Sequence, residues 1–187
     1  MSTTIIAPAG PAAGPSGIAL PVTAFSRGAD RVIGWFGEIA SALWTVLVLV
    51  IVAQVVARYA FGLGSIAMEE LQWHLYAIGF MLGLSFTEVR ERNVRIDVLA
   101  ERWAPRTRLW VELLGITCLL LPFCGVIVLY ALPFFLSSFQ LNEVSASPGG
   151  LPYRWFLKSF IVTAFVLLAL AGVSRLTRVW VALFGSR

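Results

Sequence analysis

The chain has 187 residues, of which 59% are hydrophobic and 13% are charged, and its mean hydropathy is +0.86. A soluble domain carries about 25% charged residues, so this composition excludes a protein whose whole surface faces water. The net charge of +4 therefore indicates orientation in a membrane rather than binding to nucleic acid, because arginines that flank apolar spans mark the cytoplasmic side.

The first 28 residues contain four prolines and four glycines. They lack a basic amino-terminal region, and the prolines interrupt each apolar run before it reaches the length of a signal-peptide core. We therefore expect a flexible tail over residues 1–28 instead of a cleaved signal peptide. A single membrane domain is predicted over residues 29–187.

Four apolar segments have the lengths needed to cross a bilayer as helices. They cover residues 39–57, 71–87, 113–139 and 157–174. The third is longer than a bilayer requires and contains Pro122 and Pro133, so we expect a tilted or kinked helix there.

Two segments outside the spans have apolar residues at helical spacing, which predicts short amphipathic helices at the membrane surface. The first leads into the first span and presents Val32, Ile33, Phe36 and Ile39. The second lies in "RERNVRIDVLAERW", residues 90–103, here called the charged belt. Its apolar positions are Ile96, Leu99, Ala100 and Trp103, and we expect Pro105 to end that helix. A solvated charged loop fits the same spacing.

Lysines and arginines outside the spans are unevenly distributed. With four spans, both tails and the second connection lie on one side and carry eleven of these residues, six of them in the second connection. The other side carries three. The positive-inside rule therefore places both termini and the charged belt in the cytoplasm. The predicted fold class is an all-α integral membrane protein with four transmembrane helices.

The predicted spans carry little that could perform chemistry. Catalysis or ion transport within a membrane needs ionisable groups at depth, and no span has one near its middle. The single histidine, His74, cannot supply both ligands of a bis-histidine haem, and we expect it to form a hydrogen bond near the interface rather than bind a metal. We predict neither an enzyme nor a bound cofactor. A stand-alone homo-oligomeric transporter or channel and a membrane redox subunit are the alternatives.

Polar residues gather instead at the boundary opposite the charged belt. They occur in "SIAMEELQW" before the second span and in "LNEVSASPGGLPYRWFLK", residues 141–158. The Gly-Gly-Leu-Pro sequence at residues 149–152 predicts a defined turn, because glycine permits positive φ and proline fixes the next segment. Both a simple hairpin anchored at the interface and a docking surface for a partner fit this pattern.

These segments resemble the small membrane subunit, of the DctQ type, of tripartite ATP-independent periplasmic (TRAP) transporters. In residues 69–103 the positions similar to the family pattern are Glu69, Glu70, Trp73, Phe80, Leu82, Gly83, Arg90, Val94, Arg95 and Asp97. The third connection is similar to the branch often labelled mannitol/chloroaromatic, through Glu143, Ser145, Gly149, Gly150, Leu151, Pro152, Arg154, Trp155 and Lys158. Asn93 stands where the family usually has histidine, so this position retains a hydrogen-bonding group without a titrating one.

The resemblance covers roughly residues 30 to 180, and what it implies is a supporting role. Such small subunits act as a scaffold beside a large membrane subunit that carries the substrate and sodium sites. A periplasmic solute-binding protein delivers the solute, often an organic acid. The resemblance thus implies a secondary transporter of the bacterial inner membrane, with protein and lipid partners but no nucleic acid. The matching residues and Asn93 become candidate partner contacts, and we expect no substrate, cofactor or metal site in this chain.

Overall fold

The computed structural model describes residues 20–90 and 103–185. They form five helices: α1 (Ala24–Phe61), α2 (Ile66–Val89), α3 (Pro105–Gly115), α4 (Leu121–Gln140) and α5 (Arg154–Phe184). One π-helical turn, Ile116–Leu120, joins α3 to α4. No strand occurs in either described range, which confirms the all-α fold class.

Helix α1 begins earlier than the sequence pattern predicted. The Thr23 hydroxyl accepts a hydrogen bond from the Ser26 N–H at 3.0 Å, and the Ser26 hydroxyl accepts one from the Thr23 N–H at 3.1 Å. These reciprocal bonds satisfy N–H groups that the first helical turn leaves open. Helix α1 therefore includes the last five residues of the segment 1–28 that was predicted as a tail. The prediction of a separate short helix before the first span is also wrong, because α1 continues unbroken into that span.

The third apolar segment forms a longer helical unit than predicted. It begins at Pro105, whose ring suits the first helical turn, rather than at residue 113. The predicted interruption takes the form of the π turn Ile116–Leu120, which ends two residues before Pro122 and in which the Leu121 N–H bonds to the Ile116 carbonyl. This wider turn accommodates a proline that has no N–H of its own. Pro133 remains inside α4.

Within residues 20–90 and 103–185, three helical units are long and apolar enough to cross a membrane: Ala24–Phe61, Pro105–Gln140 and Arg154–Phe184. They contain the first, third and fourth predicted spans. Helix α2, which contains the predicted span 71–87, is not among these units, and Glu69, Glu70, Gln72 and His74 lie in its first turns. The second span therefore stays a prediction.

The helices pack as two antiparallel hairpins, α1 with α2 and α4 with α5, and α5 also contacts α1, α2 and α3. The main core comes from α1, α2 and α5 and comprises Ile33, Ala40, Ile78, Leu82, Leu167 and Ala171. Many large apolar side chains instead point outwards, including Leu49 on α1 (64% exposed) and Leu129 on α4 (68% exposed). Exposed apolar area on this scale is suited to lipid or to another protein.

The two ends of this bundle differ in composition. The end formed by the α1–α2 turn (residues 62–65) and the α4–α5 loop (residues 141–153) is here called the hairpin end. The opposite end, formed by the starts of α1 and α3 and the ends of α2 and α5, is called the belt end. Each holds a cluster of paired polar side chains.

Candidate functional site

Glu70 fastens the α4–α5 loop to the start of α2. Its carboxylate accepts a short hydrogen bond from the Ser145 hydroxyl and another, at 2.6 Å, from the Leu151 N–H. The loop approaches so closely that a Cβ on Gly150 would lie 2.5 Å from the Ser145 Oγ and 2.8 Å from the Glu70 Oε1. Glycine is therefore required at position 150 for this contact to form.

Glu143 organises the other side of the same loop. Its carboxylate accepts a hydrogen bond of 2.6 Å from the Ser138 hydroxyl and pairs with the Lys158 ammonium. The Glu143 carbonyl also accepts the Arg154 N–H at 3.0 Å, which closes the loop at its base. The Lys158 ammonium lies 3.9 Å from the centre of the Phe134 ring, a cation–π contact that links α5 to α4.

The backbone of the loop adopts the turn that glycine and proline predicted. Gly149 has a φ of +79°, which confirms a positive-φ turn at this position. Tyr153 has a φ of +63° at the residue before α5, a conformation that costs energy for a residue with a side chain. The hydrogen bonds of Glu70 and Glu143 on either side offset that cost.

Both carboxyl groups are held in their charged forms. Hydrogen bonds from the Ser145 hydroxyl and the Leu151 N–H lower the pKa of Glu70. Hydrogen bonds from Lys158 and then Ser138 lower the pKa of Glu143. A donor that stabilises the carboxylate but not the neutral acid shifts the equilibrium towards ionisation. The loop is therefore held by two permanent negative charges near neutral pH.

The outer face of the loop exposes a mixed surface. Leu141 is 79% exposed, Val144 62% and Tyr153 54%, with Arg154 exposed beside them. Beneath them, the Trp155 ring makes edge-to-face contact with the Phe139 ring, with their centres 5.1 Å apart. Exposed apolar, aromatic and arginine side chains also occur at the interfaces of proteins with their partners. We call residues 141–154 the loop platform.

The structure brings most of the predicted site residues to the hairpin end. The Glu70 carboxylate contacts the Ser145 hydroxyl and the Leu151 amide and lies against Gly150, while Glu143 joins Arg154 and Lys158 as described above. Glu69 instead pairs with Arg58 at 3.2 Å on the surface, and Trp73 is 75% exposed. Gly149, Pro152 and Trp155 complete the loop and its junction with α5.

The remaining predicted residues lie near the other end or outside the description. Gly83 has open space where a Cβ would be, so packing within this chain does not require glycine there. Arg90 follows the last turn of α2 and lies over the Phe86 ring, 5.2 Å from its centre. Asn93, Arg95 and Asp97, and most of the predicted belt helix, fall outside the described residues.

The belt end contains a buried ionic cluster that the sequence analysis missed. Asp30 on α1 pairs with Arg178 on α5 and accepts a hydrogen bond of 2.9 Å from the Ser174 hydroxyl. Glu112 on α3 pairs with Arg175 on α5. The arginine side chains are only 8% and 10% exposed. The spacing of Ser174, Arg175 and Arg178 was a usable signal, since residues three and four apart share a helix face.

His74 forms the hydrogen bond that we expected. Its Nδ1 lies 2.7 Å from the Glu70 carbonyl oxygen, one turn earlier in α2. Within residues 20–90 and 103–185, no group of three or more histidine, cysteine, aspartate or glutamate side chains is arranged to hold a metal ion.

Long apolar helices, outward-facing apolar side chains and polar clusters confined to the two ends define a multi-pass integral membrane protein. Over residues 47–182 the sequence matches the family described as tripartite ATP-independent periplasmic transporters, DctQ component. Because the match spans most of the chain, from the middle of α1 to the end of α5, this protein belongs to that family and is a transporter component. This confirms the resemblance noted from the sequence. No curated protein and no solved structure matches the chain.

Proposed function

We propose that this chain is the small permease subunit of a TRAP-type secondary transporter in the bacterial inner membrane. In this role it scaffolds the large membrane subunit during uptake of an organic acid or a similar solute that a periplasmic binding protein delivers. Family membership over residues 47–182 carries this proposal.

The proposed topology has four spans with both termini and the charged belt in the cytoplasm. The antiparallel order of the helices is compatible with it, because both described chain ends lie at the belt end. Arg175 and Arg178 belong to a buried cluster instead of a free tail, yet without them the two tails and the second connection still carry nine lysines and arginines, against three in the other two connections. The charge asymmetry therefore still favours the belt end as cytoplasmic.

Helix α2 is proposed as the remaining span. Its 24 residues measure about 36 Å at about 1.5 Å per residue, against a hydrocarbon core of about 30 Å. Its polar side chains have partners: Gln72 bonds to Gln54 of α1, and His74 bonds to the Glu70 carbonyl. Such bonds reduce the cost of placing polar groups within a membrane.

The scaffold role is proposed for the exposed faces of the helices. The open space beside Gly83 would let a partner helix approach the α2 backbone closely. The loop platform would contact the binding protein from the periplasmic side, through its exposed apolar residues and Arg154. Arg95 and Asp97, which match the family pattern, and Asn93, which departs from it, are proposed as contacts on the cytoplasmic side.

Co-purification and uptake test the proposal together. A tagged chain isolated from native membranes should bring with it a much larger multi-span protein, and deleting the chain should abolish uptake of the solute bound by the periplasmic partner. Uptake that continues at the original rate after the deletion contradicts the scaffold role.

A variant of the charged belt provides the residue-level test of the same proposal. Asp97→Ala should reduce assembly or uptake while the chain still inserts into the membrane at a normal level. Glu101→Ala, which changes an acidic residue of the belt outside the family pattern, is the matched control. Equal uptake by the two variants would remove any special role for Asp97.

A further inference from the structure

A groove between α1 and α2 runs inwards from the hairpin end and changes polarity along its length. Its outer part, a cleft of about 400 Å³, is lined by Val55, Arg58 and Tyr59 of α1 and by Glu69 of α2. Its inner part, about 260 Å³, is lined by Leu47 of α1 and Tyr76 of α2. Ile51, Gln72 and Trp73 line both parts, so the two are continuous.

We propose that this groove binds a single zwitterionic phospholipid of the outer leaflet. The inference rests on the four-span topology proposed above, but it does not depend on the transport partners.

The mouth of the groove carries one charge of each sign. Arg58 and Glu69 pair at 3.2 Å, and their side chains remain 59% and 45% exposed. A guanidinium has five N–H donors and a carboxylate has two acceptor oxygens, so both retain bonding capacity after pairing with each other. The arginine is suited to a lipid phosphate, and the carboxylate is suited to the ammonium group of the same head group. An anionic lipid would satisfy only one of the two charges.

Below the charges lies a hydrogen-bonded pair of amides. Gln54 is buried, and its carbonyl accepts a hydrogen bond from the Gln72 side chain. Gln54 lies four residues before Arg58, which is about 6 Å deeper at about 1.5 Å per residue. The ester carbonyls of a phospholipid lie just below its phosphate. Each amide has two N–H donors, so the pair can donate to an ester and still hold the helices together.

The innermost part of the groove is suited to an acyl chain. Leu47 and Ile51 form one wall, and the Trp73 and Tyr76 rings form the other. From Arg58 to Leu47 the groove extends about 16 Å at about 1.5 Å per residue. Half of a hydrocarbon core of about 30 Å is about 15 Å, so the groove is about as long as one leaflet is deep.

Retention of lipid by the purified full chain, measured by native mass spectrometry in a mild detergent, tests the site. Phosphatidylethanolamine and phosphatidylglycerol are the two probes. We expect a single tightly held phosphatidylethanolamine, with phosphatidylglycerol retained about tenfold less, since phosphatidylglycerol has no ammonium group to donate a charge-assisted hydrogen bond to Glu69. Ile51→Trp should fill the shared part of the groove and abolish retention. Leu129→Trp, at an exposed position on α4 away from the groove, should leave retention unchanged.

A second variant tests the head-group contact separately. Arg58→Ala/Glu69→Ala should remove the preference between the two lipids while Leu129→Trp keeps it. Equal retention by Ile51→Trp and Leu129→Trp, or no preference in the parent chain, would overturn the proposal. So would a dimer mass that Ile51→Trp abolishes, or displacement of the lipid by the large subunit, since either result would assign the groove to a protein. Because the retention measurements use this chain without its transport partners, their failure leaves the transport role untouched, and lost uptake leaves the lipid site untouched.

Discussion

Glu69 and Glu70 are neighbours in α2, yet their carboxylates have different surroundings. Glu70 holds the loop platform through the Ser145 hydroxyl and the Leu151 N–H, whereas Glu69 pairs with Arg58 on the surface. Removal of an acceptor leaves its hydrogen-bond donors unsatisfied, whereas an exposed ion pair contributes little to the stability of the fold. The same substitution at the two positions should therefore have different effects.

We expect Glu70→Ala to raise the rate of proteolytic cleavage within the loop platform several-fold. Glu69→Ala should leave that rate close to the parent value. Limited proteolysis of the detergent-solubilised chain, followed by mass spectrometry of the fragments, measures both rates. If the two variants were cleaved equally fast, Glu70 could not be the attachment point of the loop.

The lowered pKa of Glu70 also predicts how this attachment depends on pH. Because the pKa is lower in the folded state, the stabilisation is fully present above the ordinary value of 4.5 and is lost as the pH falls through the lowered value. The NMR amide signal of Leu151 should stay constant from about pH 7 to about pH 4.5 and shift only below that. Glu70→Gln should remove this transition. A midpoint above the ordinary value would contradict the assignment.

At the scale of the helices, α1 and α2 pack closely at a glycine. A Cβ on Gly37 would lie 2.0 Å from the Phe86 ring, whereas Gly34, one turn earlier, has open space around it. Gly37→Ala should therefore lower the free energy of unfolding by about 1 to 3 kcal/mol, as overpacking does elsewhere. Gly34→Ala should leave it unchanged or raise it by up to about 1 kcal/mol. Denaturant titration in mixed micelles distinguishes these outcomes, and equal effects would show that the contact tolerates a methyl group.

The ionic cluster at the belt end ties α1 and α3 to α5. Asp30→Ala would leave Arg178, whose side chain is 10% exposed, without its carboxylate. Breaking a buried pair on one side costs about 3 to 5 kcal/mol. Because Asp30 is itself 24% exposed, we expect destabilisation near the lower end, about 3 kcal/mol.

Glu38→Ala provides the control for the Asp30 substitution, because Glu38 is exposed on the same helix. It should change the free energy of unfolding by no more than about 0.5 kcal/mol. A similar loss in both variants, measured by the same titration in micelles, would mean that Asp30 contributes only surface charge.

At the scale of the whole molecule, the ion pairs of the described residues lie at the two ends of the bundle, and many apolar side chains face outwards. Under the proposed scaffold role, this chain needs a companion to carry a polar solute across the membrane. We therefore expect no uptake of labelled solute by liposomes that contain this chain alone. Uptake should appear when the large subunit and the binding protein are added, and flux through the chain alone would contradict the scaffold role.

Several features of this molecule could be predicted from its sequence. Apolar runs of membrane-spanning length predicted the helices that contain residues 39–57, 113–139 and 157–174, and the short polar strings were sufficient to indicate the family. The glycine-rich turn in the third connection was also predictable, because a local sequence sets the backbone angles of a tight turn.

Other boundaries depended on contacts that periodicity does not reveal. Helix α1 begins at Ala24 because of a two-residue cap at Thr23 and Ser26, and the interruption near Pro122 is a π turn whose hydrogen bond precedes the proline. Both depend on specific hydrogen bonds rather than on hydropathy, so an apolar pattern could not locate them.

The composition, the charge asymmetry and the short motifs were by themselves sufficient to identify a helical membrane subunit of this family. These properties depend on the order of residues along the chain and not on how the helices pack. Only the tertiary structure decided that Glu70, not Glu69, holds the loop platform, that Arg175 and Arg178 are buried in ion pairs, and that α1 and α2 enclose a groove. Those features join residues between 11 and 148 positions apart. Their partners are set by how the helices pack, since side chains distant in sequence acquire neighbours only when the bundle forms.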